Sequence, residues 1–347
     1  MTKNLLLGST ALVGAIAIAA PAFADIEVTL SGQVEFGTII ADEETINDGR
    51  GYFFFMDSET KIQAEGAADN GINYSAKVEL ETDADRGAEA NDTNDDDNLD
   101  DFSDGEVNAD ETVLAFWGGF GRVELGREDG AADNMFIGGE DFQAGTGGID
   151  GDGVNLNINL VGDSGDAAKV TYFSPRLGGF QVGASFTPDV GDDENDSEAE
   201  GDIEEHWELG ANFTTSAGGA DITLTGVASI GDNELAGGDD LEDYGIGAGV
   251  EFAGLGIGVG YAFREEADEG NGLTIGAKYG FGPANVSLGY SYDDPDDGDD
   301  SNVYVVSADY GLFPGVKLKG DIQHNADDPD DNGDGTTAGV FTIQVDY

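Results

Sequence analysis

Cysteine is absent from the 347 residues of this chain. That absence excludes disulfide staples, cysteine nucleophiles and thiolate metal sites. Basic residues are scarce too: 13 Lys and Arg stand against 73 Asp and Glu, a formal net charge of −60. Nucleic acid and anionic headgroups would be repelled by such a chain, and cations are its natural partners. The only imidazoles are His206 and His324, and no serine sits in a G-x-S-x-G nucleophile setting, so a hydrolase has little to work with. Beyond the N-terminal two dozen residues, no stretch reaches the roughly 18 consecutive apolar residues of a spanning helix.

What is present begins with "MTKNLLLGSTALVGAIAIAAPAFA": one positive charge at Lys3, an apolar run from Leu5 to Ala20, and the small-residue ending Ala22-Phe23-Ala24. This pattern is a secretory signal peptide over residues 1–24, with cleavage expected before Asp25. Residues 25–347 then form a single domain that is exported: secreted, periplasmic, or set in a membrane as a barrel.

So acidic a composition would suit a disordered chain, but the acids are clustered, and between the clusters lie segments of period two. In "IEVTLSGQVEFG", Val28, Leu30, Val34 and Phe36 share one face, opposed by Glu27, Thr29, Ser31, Gln33 and Glu35. "INYSAKVEL", "FQVGASF", "WELGANF" and "VSLGYSY" repeat the pattern, and the chain ends on it, with Phe341, Ile343, Val345 and Tyr347 opposed by Thr342, Gln344 and Asp346. Alternation of this kind marks strands with one apolar and one polar face. The connections alternate as well. Tight ones rich in Gly, Pro or Asn sit at 68–71, 117–121, 174–179, 215–219, 252–256, 280–283 and 312–315, while long acidic ones sit near 41–51, 82–109, 128–166, 188–203, 231–241, 264–271, 293–301 and 324–337. The sum is about sixteen strands, with hairpin turns at one end and long loops at the other.

A soluble sandwich and a membrane barrel share alternating faces, so other features must choose between them. The leader and the strict alternation of short and long connections favour the barrel. So do the glycines that recur on the inward rows of "YGIGAGVEFAGLGIGVGYAF", because a packed sandwich core would seldom leave those positions empty whereas a lumen holding water or a loop tolerates them. Aromatic residues including Tyr52, Phe54, Trp117, Phe120, Phe180, Trp207, Phe252, Phe263, Tyr279, Tyr292 and Tyr310 lie near strand ends, where interface girdles belong. The expected fold is all-β: a transmembrane antiparallel β-barrel with short periplasmic turns and long acidic extracellular loops.

The start "ADIEVTLSGQVEFG", the segment "VLAFWGGFGRVELGREDGAADNMF", the turn "VTYFSPRLGGFQVGASFTPD" and the end "FTIQVDY" resemble the Gram-negative general porins, particularly those of alphaproteobacteria. The resemblance implies sixteen strands, a homotrimer in outer-membrane lipid, and a water-filled channel for passive diffusion of small hydrophilic solutes and ions, with no catalytic residues. It implies that Phe341, Ile343, Val345 and Tyr347 serve as the signal read by the outer-membrane assembly machinery; Tyr347 departs from the Phe with which most relatives end. It also implies that the third long loop folds into the lumen, and "FIGGED" at 136–141 looks like the tip of that constriction loop. A barrel with a mainly adhesive or structural role is the rival reading.

If the loop narrows the pore, its acids Asp129, Asp133, Glu140, Asp141, Asp150 and Asp152 are expected to oppose a basic wall of Lys61, Lys77, Lys317 and Lys319, creating a transverse field. Arg122, Lys169, Lys278, Glu27, Glu35, Glu65, Glu79, Glu124, Glu208, Asp309 and Asp321 complete the inward charges. The acidic mouth predicts cation preference. No cofactor is required. "DPDDNG" fits the opening of a calcium loop through Asp328, Asp330 and Asn332, but its twelfth position is Gly339 rather than Glu; divalent cations elsewhere in the loops, or a saline habitat, explain the acids equally.

Overall fold

The alternating segments become strands because period-two patterning gives each one face for an apolar medium and one for a polar one. A computed structural model describes residues 26–41, 51–83, 108–148, 160–190, 203–233, 240–266, 269–295, 300–326 and 335–347. The expected leader and cleavage site, Asp150, Asp152, Asp328, Asp330 and Asn332 lie outside the described residues.

The strands are β1 (Glu27–Ala41), β2 (Tyr52–Ala67), β3 (Asn73–Asp83), β4 (Asn108–Gly118), β5 (Gly121–Arg127), β6 (Ala168–Phe173), β7 (Phe180–Asp189) and β8 (Ile203–Ala217). They continue with β9 (Ala220–Asn233), β10 (Leu241–Phe252), β11 (Leu255–Glu266), β12 (Gly270–Phe281), β13 (Ala284–Pro295), β14 (Ser301–Phe313), β15 (Val316–Asn325) and β16 (Thr336–Asp346). Each pairs antiparallel with its neighbours in sequence, and β1 closes on β16, so the sheet has no free edge. The fifteen connections fall where the sequence places them, but two expected to be long, near 264–271 and 293–301, are short: three residues join β11 to β12 and five join β13 to β14, no more than in the turn between β2 and β3.

The faces are inverted relative to a soluble protein. Leu30, Ile246 and Leu288 point outward, exposed at 61%, 58% and 62%, while Ser229, Ser291, Thr171 and Glu208 point inward and are buried. Such an apolar belt is stable against hydrocarbon and not against water. The girdle reading fails at Trp117. Its position shares parity with the inward Val113 and Ala115, and its ring lies under the Arg122 guanidinium, 5.2 Å away, inside the barrel. Proximity to a strand end sets height, but parity sets direction.

The closing seam explains the last residues. Val345 pairs with Val34 and Ile343 with Phe36, and the Tyr347 and Gly32 backbones exchange bonds of 3.0 and 3.1 Å. The Tyr347 ring then crosses β1 on the outer surface. Its hydroxyl lies 2.6 Å from Thr60 Oγ1 and donates to the Glu59 carbonyl at 3.3 Å. This crossing needs glycine at position 32, where an added Cβ would stand 2.7 Å from the phenol oxygen. A terminal Phe could cross but not bond. Tyr347→Phe is therefore expected to lower stability by about 0.5–1 kcal/mol, read as a small drop in the heat-denaturation midpoint in detergent; an unchanged midpoint would mean that the hydroxyl contributes nothing to closure.

Candidate functional site: the lumenal loop

The described parts of the connection from Glu128 to Ala167, residues 128–148 and 160–167, fold inward, with a short helix α1 (Ala131–Met135) followed by a 3₁₀ turn (Glu140–Phe142). Its apolar residues would be costly to leave in water, and they find cover inside. Ala132 and Met135 cluster with Val227, with Phe136, Val161 and Phe173 packed against them. The helix lies on β6 to β9 and the 3₁₀ turn on β11 to β13.

The glycine rows are the seat. A Cβ at Gly247 would lie 1.7 Å from the Ile137 carbonyl oxygen, at Gly258 2.1 Å from the Phe142 ring, and at Gly276 1.9 Å from the Gly139 carbonyl oxygen. The loop backbone thus approaches to a distance that any side chain would forbid. Gly139, in "FIGGED", answers from the other side: its Cβ would meet the Ile275 nitrogen at 2.4 Å.

A loop buried against a wall must satisfy its backbone amides, and inward side chains do so in succession. Ser185 accepts from the Ala131 amide at 2.7 Å, Thr225 from Ile137 at 3.3 Å, Thr274 from Gly139 at 2.8 Å and Ser287 from Ala144 at 2.8 Å. Asp321, 1% exposed, accepts from the Thr146 amide at 2.7 Å and from its hydroxyl, and Gln323 donates to the Gly148 carbonyl at 3.0 Å. On the returning limb Asp243 accepts from Gly162 at 2.6 Å. Glu208, also 1% exposed, holds both limbs: it accepts from the Ala132 amide at 3.0 Å and from the Ser164 amide and hydroxyl at 3.1 and 2.5 Å. Lys169 donates to the Glu128 and Gly165 carbonyls, closing the loop's root. Glu208, Asp321 and Lys169 therefore belong to the loop's anchorage, although sequence parity marks them only as inward charges.

Carboxylates gather at that root. Burial raises the Asp129 carboxyl above its ordinary value, with Glu111, Glu128 and Asp163 adding and Lys169 opposing. Burial pushes Asp166 up to about 6, helped by Asp110, Asp129 and Glu111 and opposed by Lys169; its Oδ1 is buried without a hydrogen-bond partner among the described residues. A carboxyl group raised on folding disfavours the folded state when ionised, so this cost is present at neutral pH. It is relieved as pH falls through about 6 and fully so near the ordinary 3.8. Wild type should thus gain heat stability between pH 7 and pH 5 relative to Asp166→Asn; equal pH dependence in the two proteins would remove Asp166 from the account.

The structure places the sequence-predicted residues as follows. Lys61 pairs with Glu79 at 2.7 Å and Glu59 at 3.5 Å, and Lys77 with Glu111 and, at 2.6 Å, with Glu128. Lys317 pairs with Asp346 at 3.1 Å and Lys319 with Glu35 at 2.6 Å. Of the loop acids, Asp129 stands with Glu111 and Glu128, Asp133 is exposed on α1, Glu140 accepts from Thr274 at 2.6 Å, and Asp141 accepts from the Gly138 amide at 2.8 Å. Burial raises the Asp141 carboxyl, and Gly138 and Lys278 offset part of the rise. Among the described residues, the loop carboxylate that bridges to the predicted lysines is Glu128, the first residue of the loop, which the sequence-based set of loop acids left out. Glu111, Glu128 and Asp129 come close enough to share a cation, but the Lys77 ammonium already occupies that position.

Between the loop and the β2–β8 wall, near the short turns, lies a cavity of about 760 Å3. The Gram-negative porin family model matches residues 8–331. No curated protein matches the chain. Among solved structures, one mutant of the porin of Rhodopseudomonas blastica has a TM-score of 0.63 at 17% identity, covering 92% of this chain and 100% of its own. A second mutant scores 0.65 at 16% with the same coverage. OmpT, an outer membrane protein of Vibrio cholerae with its eighth loop deleted, scores 0.64 at 13%, covering 93% and 99%. At these identities the likeness is one of fold.

Proposed function

Because the chain belongs to the Gram-negative porin family, and so forms an outer-membrane porin channel, we propose that it passes small hydrophilic solutes and ions by passive diffusion, that the loop from Glu128 to Ala167 sets the size limit, and that cations are preferred. The observation that carries this reading is the succession of inward side chains, from Ser185 on β7 to Gln323 on β15, hydrogen-bonded to one loop. A sixteen-stranded barrel encloses more space than its wall side chains fill, and a loop held at so many points narrows it without blocking it.

The charge balance supports cation preference. The four lysines expected to form a basic wall are each met by a carboxylate at 2.6–3.1 Å, so their field is short-ranged, and the surplus of acid in the long connections sets the sign at the mouth. A zero-current potential across a planar bilayer at low salt should show cation selectivity that shrinks at high salt, and Glu140→Gln with Asp141→Asn should reduce it. Anion selectivity at low salt would overturn this reading. The same preparation should cross-link as a homotrimer and have a mass beginning at Asp25. Tyr347, Val345, Ile343 and Phe341 would serve as the assembly signal, and any calcium would bind in the loop around Asp328, Asp330 and Asn332 without being needed for conduction.

A further inference from the structure

The cavity near the short turns has a composition at odds with the rest of the chain. In a protein of net charge −60, the charged side chains lining it are Lys61, Lys77, Arg122 and Arg176 against Glu124 and Glu128. Lys77 is neutralised by Glu111 and Glu128, and Arg122 shares Glu124. Arg176 meets no carboxylate among the described residues. Its guanidinium is fixed instead by neutral oxygens, donating to the Gly179 carbonyl at 2.9 Å, Thr214 Oγ1 at 3.1 Å and Gln181 Oε1 at 2.6 Å. These bonds use three of five N–H donors and leave two for a planar anion.

Two further features sit in the same lining. Asn212, paired with Gln181 across β7 and β8, has a buried Oδ1 with no hydrogen-bond partner among the described residues; a buried acceptor left unmade costs about 1–3 kcal/mol, which a turn of the amide toward the cavity and a donor from a solute would recover. Trp117, turned inward and held under Arg122, also lines the cavity, as do the apolar side chains of Val113 and Met135. A fixed guanidinium, an orphaned acceptor and an aromatic surface together ask for a carboxylate, a hydroxyl and a C–H face in one small molecule.

We propose that this cavity is a transient binding station for a small polyhydroxylated carboxylate, a sugar acid in chemical class, with Arg176 and Arg122 taking the carboxylate, Asn212 a hydroxyl and Trp117 the carbon chain. Inorganic anions lack the carbon face, and neutral sugars lack the charge. The inference rests on the channel reading and adds a solute class to it. It coexists with cation preference because the acidic connections lie at the opposite end of the barrel.

The test uses the full-length protein in planar bilayers of neutral lipid in potassium chloride, with gluconate, glucose or glucosamine added to each side in turn. Gluconate should block the open-channel current in a concentration-dependent way, more strongly from one side, whereas glucose and glucosamine at the same concentrations should not. Arg176→Gln and Arg122→Gln should each weaken the block about tenfold, the size expected for one charge-assisted hydrogen bond, and Asn212→Leu should weaken the gluconate block while leaving block by acetate unchanged. A channel that conducts normally but responds alike to gluconate and glucose overturns this inference alone, as does a block unchanged in both arginine variants. A protein that opens no channel overturns the channel reading and this inference with it.

Discussion

Removing residues 134–148 is expected to raise single-channel conductance about twofold or more, as for an unobstructed barrel of this strand number, and to admit larger sugars in liposome swelling. The deleted stretch contains Ile137 and Phe142, whose backbone or side chains fill the space above Gly247, Gly249 and Gly258, and the amides that Thr225, Thr274, Ser287 and Asp321 accept. Without it those four side chains and three glycines face water, and polar side chains lose little by that exchange. The barrel should survive, because its hydrogen bonds run between strands and close on themselves from β1 to β16 without involving the loop. If the variant folds and keeps both conductance and size cutoff, the loop does not limit the pore.

Glu208→Ala should have the second largest effect. The one carboxylate bonds the outgoing limb at Ala132 and the returning limb at Ser164, two points that the sequence separates by more than thirty residues. Its loss leaves two buried amides unpaired, at about 1–3 kcal/mol each, and removes the charge facing Lys169. The limbs should part. Recordings should show a noisy channel with several conductance levels, and the Ala132 and Ser164 amides should lose protection in hydrogen exchange. Glu208→Gln, which keeps one acceptor oxygen, should fall between. Gly130→Ala should resemble Glu208→Ala, since its Cβ would lie 1.9 Å from Glu208 Oε2. Quiet currents with protected amides in Glu208→Ala would mean that the remaining hydrogen bonds suffice and that Glu208 is no tether.

The same residues show what could be read in advance. Strand number, the two classes of connection and the outward direction of Leu30 or Leu288 follow from alternation, which is a local property: a strand turns each side chain opposite to the last whatever its neighbours are. The glycine rows at 245–249 and 256–260 also announced an inner wall that something approaches closely. Trp117 could have been assigned by the same parity, since it lies an even number of positions from Val113; the girdle argument used height alone.

The sequence by itself thus determined a closed antiparallel barrel, its lipid-facing surface and a wall bare enough to seat a loop, because each is written in period two or in glycine. Only the tertiary structure decided that Glu208 and Asp321 hold the loop instead of charging the lumen, that Lys61, Lys77, Lys317 and Lys319 find carboxylates beside them, and that Tyr347 reaches Thr60. Those outcomes depend on contacts between residues 76, 175 and 287 positions apart. Strand register and barrel closure create such neighbours, and side-chain alternation along one segment carries no record of them.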